Sequence, residues 1–148
     1  AVAAGILSVE ALLNSGARLA GGILTRFVGA KSLLIVSLTC LIIGLLALGA
    51  ARTVPMMLVY AAGIGIGYGL TLFAATIVLL DYFGRGPYLE LFSTVNLIST
   101  VGAVAPTLAG LTRDYTGGFT PFFIGLAVMV ALVLVAVAMM RAPHKRPA

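Results

Sequence analysis

From Ser32 to Ala51, and again from Phe119 to Met140, the sequence runs without a single charged residue. A helix needs about 20 apolar residues to cross the roughly 30 Å hydrocarbon core of a bilayer. Three further stretches meet or approach that length: Ala1 to Leu24, Pro55 to Leu80 and Leu91 to Leu111. Only 9% of residues are charged and 61% are hydrophobic, whereas soluble domains carry roughly 25% charge. Four Asp+Glu and nine Lys+Arg cannot supply a polar surface around one core. The solvent such a chain requires is lipid.

Lipid leaves two spanning architectures, because every backbone N–H and C=O must be paired within the protein. Strands of a closed barrel would alternate polar and apolar residues over about 10 positions, and these runs are unbroken. The expected fold is therefore all-α, a polytopic transmembrane bundle of about five spans at 1–24, 32–51, 55–80, 91–111 and 119–140, with a tail at 141–148. The links carry helix-ending residues: Gly29, Arg52 to Pro55, Gly84 and Gly86, and Asp114 to Gly118. Short links make successive helices antiparallel. Arg26, Lys31, Arg85, Arg141, Lys145 and Arg146 then fall on one side and Arg52 and Arg113 on the other. Six against two places the first side, and the C-terminus, in the cytoplasm. The expected location is the plasma (inner) membrane, with multiple passes. The chain opens on Ala1 without an initiating Met, which reads as a fragment.

Several chemistries are disfavoured. The basic residues stand singly between apolar runs, so the net charge of +5 does not form a nucleic-acid stripe. Cys40 is the single cysteine and His144, in the tail, the single histidine, which gives no metal set and no cofactor site. An intramembrane enzyme would need a nucleophile beside a base, and no histidine lies within the spans to serve as one. No catalytic residue is expected.

The candidate site lies in the first span. Glu10, Asn14 and Arg18 recur every four residues, drifting only about 80° around a helix, so they form one stripe. Ionisable groups at membrane depth are costly and mark function. Arg18 either lines a cavity or snorkels to an interface about 10 Å away, and Glu10 either joins it or lies near the outer interface. In the third span, Gly63, Gly65, Gly67 and Gly69 within GIGIGYG superficially resemble a dinucleotide loop. They have no preceding strand, and as small-xxx-small pairs they let another helix approach closely. Tyr68 could present its hydroxyl to a cavity. The fourth span carries Ser93, Thr94, Asn96, Ser99 and Thr100, then Gly102, Pro106 and Gly110. A hydroxyl-rich, proline-bent helix fits a cavity lining or a moving interface, with Asn96 as its candidate contact. Self-bonding of hydroxyls to their own helix is the competing reading. The last span, with nothing polar from Gly125 to Met140, is expected at the periphery.

The run from Asn14 through Arg18 to Leu24, with Arg26 and Gly29, resembles the eighth helix and following loop of major facilitator superfamily transporters. Tyr82 to Arg85, followed by Asn96, Gly102, Pro106, Gly110 and Asp114 to Gly117, is similar to that superfamily's tenth-to-eleventh loop and eleventh helix. The resemblance is strongest to the monocarboxylate and oxalate/formate branch. It implies helices eight to twelve of a twelve-helix secondary transporter, partnered by an N-terminal half. It also implies a small organic anion as substrate, alternating access, and a coupled proton or cation. The oxalate-type members pair the arginine matching Arg18 with a lysine in helix eleven. No lysine occurs from Leu91 to Leu111, which disfavours a dicarboxylate site built from two cations. The alternative function is a non-transporting membrane scaffold.

The charge asymmetry yields a topological prediction. With Cys40 replaced by alanine, single cysteines placed in the Lys31 loop, the Arg85 loop or the 141–148 tail should resist an impermeant thiol reagent outside intact cells. Ready labelling there would invert the assignment.

Overall fold

The computed structural model describes residues 2–51 and 53–140, and all of its regular elements are helical. They are α1 (Val2–Leu24), α2 (Ala30–Gly49), α3 (Val54–Phe83), α4 (Tyr88–Val101), α5 (Ala105–Thr116) and α6 (Thr120–Met139), with a 3₁₀ turn at Gly102–Val104 between α4 and α5. Four segments are long and apolar enough to cross a membrane: α2, α3, the continuous Tyr88–Thr116 stretch and α6. The sequence suggested about five. At 23 residues α1 has the length, about 35 Å, but Glu10, Asn14 and Arg18 dilute its apolar character.

Proline and glycine set the helix ends. Pro55, Pro106 and Pro121 each sit in the first two positions of α3, α5 and α6, where a missing N–H is harmless. Gly117 ends α5 in the left-handed region at φ 74°, its N–H donating to the Arg113 carbonyl. That conformation strains any residue with a Cβ. Asp81 and Asp114, expected in links, belong instead to the last turns of α3 and α5. The 30 residues of α3 span about 45 Å, so its ends reach beyond the hydrocarbon.

The core is built on α3, which packs against α1 on one side and α2 on the other. A Cβ placed on Gly65 would sit 2.7 Å from the Glu10 carbonyl oxygen, and one on Gly69 2.5 Å from that of Asn14. A Cβ on Gly63 would sit 2.7 Å from the Gly44 backbone, and one on Gly67 2.8 Å from the Leu41 nitrogen. Residues two apart in a helix point in nearly opposite directions. One glycine pair therefore faces α1 and the other faces α2. Contacts with α1 advance in step, from Gly65 at Glu10 to Phe73 at Gly21, so α1 and α3 run parallel. Contacts with α2 run in reverse order, so α2 is antiparallel to both.

Below the glycines, Leu33, Leu34 and Leu38 of α2 close on Leu70 and Ala74 of α3 and Ala17 of α1. Ser37, fully buried, donates to the Leu34 carbonyl at 2.8 Å and accepts from the Thr71 hydroxyl at 2.9 Å. No buried side-chain polar atom lacks a partner among the described residues. The α6 helix lies antiparallel along α2 and is held at both ends. Thr120 Oγ1 donates to the Gly49 carbonyl at 2.9 Å, and Lys31 Nζ donates to the Ala138 carbonyl at 2.9 Å and to that of Met140. A cation at the C-terminal carbonyls also complements the helix dipole. Only Ala127 of α6 is buried, as a peripheral helix requires.

The α4–α5 stretch stands apart. It buries no residue and joins the bundle chiefly at its junctions with α3 and α6. Gly102 and Gly110, read as part of a cavity lining or a moving interface, have nothing within 4 Å among the described residues. The helix directions gather Arg26, Lys31 and Arg85 at one end of the bundle and leave Arg113 at the other. Arg52 and the 141–148 tail, which entered the charge count, lie outside the described residues.

These contacts predict unequal costs for one substitution. Gly65→Leu or Gly69→Leu must push α1 from α3, and overpacking of that kind costs about 1–3 kcal/mol or more. Gly125→Leu meets open space. Thermal unfolding in detergent should show large destabilisation at the first two and little at the third. Equal tolerance would remove the close-contact assignment.

Candidate functional site

The three stripe residues lie where α1 leaves its seam with α3. Because Gly65 and Gly69 draw α3 against the backbone of Glu10 and Asn14, side chains from this stretch emerge along the edge of a very close helix pair. Asn14 and Glu10 are half-buried and Arg18 is exposed. Arg18 Nε donates to Asn14 Oδ1 at 2.9 Å. Spacing of one turn makes that bond local, and it fixes the plane of the guanidinium.

Glu10 does not turn toward Arg18. Tyr60, in the second turn of α3, donates its hydroxyl to Glu10 Oε2 at 2.9 Å. The bond crosses between two helices and satisfies the carboxylate in a half-buried setting. The stripe thus holds one cation and one carboxylate, each with its own neutral partner. An arginine held at Nε still offers the N–H groups of both Nη atoms, which can meet a carboxylate in two parallel bonds.

The other sequence candidates fall elsewhere. Tyr68 is 49% exposed on α3, one residue before the Gly69 contact, and makes no hydrogen bond to a described residue. Asn96 is exposed on α4, its Nδ2 donating to the Phe92 carbonyl at 2.9 Å. Thr94, Ser99 and Thr100 bond in the same way to the carbonyls of Glu90, Val95 and Asn96. These four donors of the fourth span are thus met within α4 itself. Gly63, Gly65, Gly67 and Gly69 hold the scaffold under the stripe, Pro106 opens α5 after the 3₁₀ turn, and Gly102 and Gly110 face open space.

An open recess of about 670 Å³ lies at the far end of α2 and α6, lined by Leu46, Gly49, Ala50, Ala51, Thr120 and Ile124. It has no titratable lining residue and none of the stripe residues. Among the described residues no group of three or more His, Cys, Asp or Glu could hold a metal ion. Tyr60 is the site residue that sequence reasoning did not single out. Its partner lies 50 positions away, so local periodicity carried no sign of the pairing beyond the need of a membrane carboxylate for some donor. Comparison with protein families, curated proteins and solved structures gave no match.

The self-satisfied state of Asn96 gives a prediction. Asn96→Ala removes a bond to an exposed carbonyl of its own helix, so stability should move by no more than about 0.5 kcal/mol. Thermal unfolding in detergent checks this. A loss of several degrees in Tm would show that Asn96 holds a contact beyond its own helix.

Proposed function

We propose that the chain forms the C-terminal part of a secondary transporter of the major facilitator kind, moving a small monocarboxylate-type anion by alternating access. The observation that carries the reading is the exposed Arg18 guanidinium, anchored at Nε by Asn14 with its Nη atoms making no hydrogen bond to a described residue. A cation kept on a membrane helix without a carboxylate partner is costly unless an anion or a water-filled cavity meets it. The resemblance of the Asn14 to Gly29 stretch to the superfamily's eighth helix supports the same reading.

In this mechanism the substrate carboxylate meets the Nη fork, and a coupled proton or cation supplies the driving force. The α1–α3–α2 unit, tightened by its glycine seams, rocks as one body against the N-terminal half. The end carrying Arg26, Lys31 and Arg85 faces the cytoplasm. A second reading, a non-transporting assembly subunit, draws on the α4–α5 stretch, whose unburied length offers a surface to another subunit.

The test is substitution of Arg18 in the full-length protein, with uptake of radiolabelled acetate, lactate and benzoate as readout. Arg18→Lys keeps the charge and loses the planar two-pronged donor, so it should reach the membrane at normal abundance and transport weakly. Arg26→Lys, beyond the end of α1, should transport nearly normally. Full transport by Arg18→Lys, or no uptake of any probe by the unaltered protein, would overturn the reading.

A further inference from the structure

The stripe contains its own competitor for an anion. Glu10 lies two turns from Arg18 on the same face, about 12 Å along the axis. Helix side chains lean toward the N-terminus, and Arg18 already reaches back one turn to Asn14. Only about 6 Å of axis then separates the anchored Nε from the level of Glu10. Unlike charges that close attract each other. A free Glu10 would reach for the same Nη groups that a substrate carboxylate would use.

We infer that Tyr60 is a positioning residue for this anion site: by holding Glu10 Oε2 against α3 it keeps the internal carboxylate from occupying the Arg18 fork. The inference rests on the reading of Arg18 as the anion-binding group. Three features favour it. The Tyr60 hydroxyl donates to Glu10 across the helix pair at 2.9 Å. Beneath it, the close seam at Gly65 fixes the distance between the two helices. Asn14, which takes Arg18 Nε, is an uncharged amide that orients the guanidinium without neutralising it. The two neutral partners together keep one unit of each charge apart on a single stripe. An anion entering from outside then competes with no internal carboxylate.

The experiment uses the full-length protein and concentration-dependent uptake of radiolabelled lactate, normalised to protein in the membrane. Tyr60→Phe removes only the hydroxyl. A hydrogen bond to a charged group is worth about a factor of ten or more, so KM for lactate should rise about tenfold, with kcat little changed. Adding Glu10→Gln to Tyr60→Phe removes the competing charge, and KM should return to near the unaltered value. Glu10→Gln alone should not raise KM, since it removes the competing carboxylate.

A structural role for Tyr60 would not be rescued by removing a charge from another helix. The inference is overturned if Tyr60→Phe matches the unaltered protein, if the double variant stays impaired, or if Glu10→Gln alone raises KM. The last arm decides the matter even where Tyr60→Phe fails to reach the membrane. Normal transport by Arg18→Lys would instead remove the underlying anion site. Loss of transport in Arg18→Lys, with no effect of Tyr60→Phe, removes the role of Tyr60 alone.

Discussion

Close approach of backbone to backbone at α3 is the constraint on which the rest of the structure depends. In lipid there is little hydrophobic gain in bringing helices together, because the acyl chains are as apolar as leucine. What holds a membrane bundle is dispersion at short range, and its strength falls steeply with each fraction of an ångström of gap. Gly63 and Gly67 remove the side chains that would keep α2 away, and Gly65 and Gly69 do the same for α1. Gly44 answers Gly63 from the other side, so that a Cβ at either position would meet the opposite backbone at 2.7 Å. A helix with two such faces is the natural centre of a three-helix layer. Sealing α3 on both sides leaves α6 to pack only on α2.

That geometry also decides where polarity can be placed. Seams this tight have room for small hydroxyls, and Ser37 and Thr71 fill one such place with a chain of bonds ending on a helix carbonyl. They have no room for a solvated charge. Glu10 and Arg18 therefore emerge at the rim of the α1–α3 seam, where side chains from the two helices can meet outside the glycine contact. Tyr60 has the length to reach Glu10 across that rim, which a serine or threonine would not. The charged stripe and the glycine pair Gly65/Gly69 are two aspects of one interface.

Sequence periodicity made the helical class, the helix ends at Pro55 and Gly117, and the small-residue pairs of α3 legible, because each depends on residues within a few turns. It did not reveal which helix each pair meets. That depends on the direction and order of packing, and Gly63/Gly67 and Gly65/Gly69 look alike in the sequence. The stripe was legible as a stripe. Its partners were legible only where they were local: Asn14 lies one turn from Arg18, whereas Tyr60 comes from another helix. The fourth span shows the opposite limit. Asn96 and its neighbouring hydroxyls have the composition of a cavity lining, but a carbonyl one turn back competes for every such donor. In α4 that local partner is the one that Thr94, Asn96, Ser99 and Thr100 take.

The contrast between α3 and the α4–α5 stretch has a mechanical meaning. A segment's resistance to movement comes from the contacts it would break. α3 cannot shift without opening two backbone seams at once, whereas Tyr88–Thr116 buries nothing. Its interior also contains a place where helical hydrogen bonding changes type: the 3₁₀ turn at Gly102–Val104, followed directly by α5 with Pro106 in its first turn. The proline lacks the N–H that would bond the Gly102 carbonyl, and that carbonyl is taken instead by the Ala105 N–H, one residue earlier. The Gly102 carbonyl thus keeps a partner through the break. The close seams around α3 hold the helix that carries the arginine stripe, whereas the break in α4–α5 lies in a stretch that buries no residue.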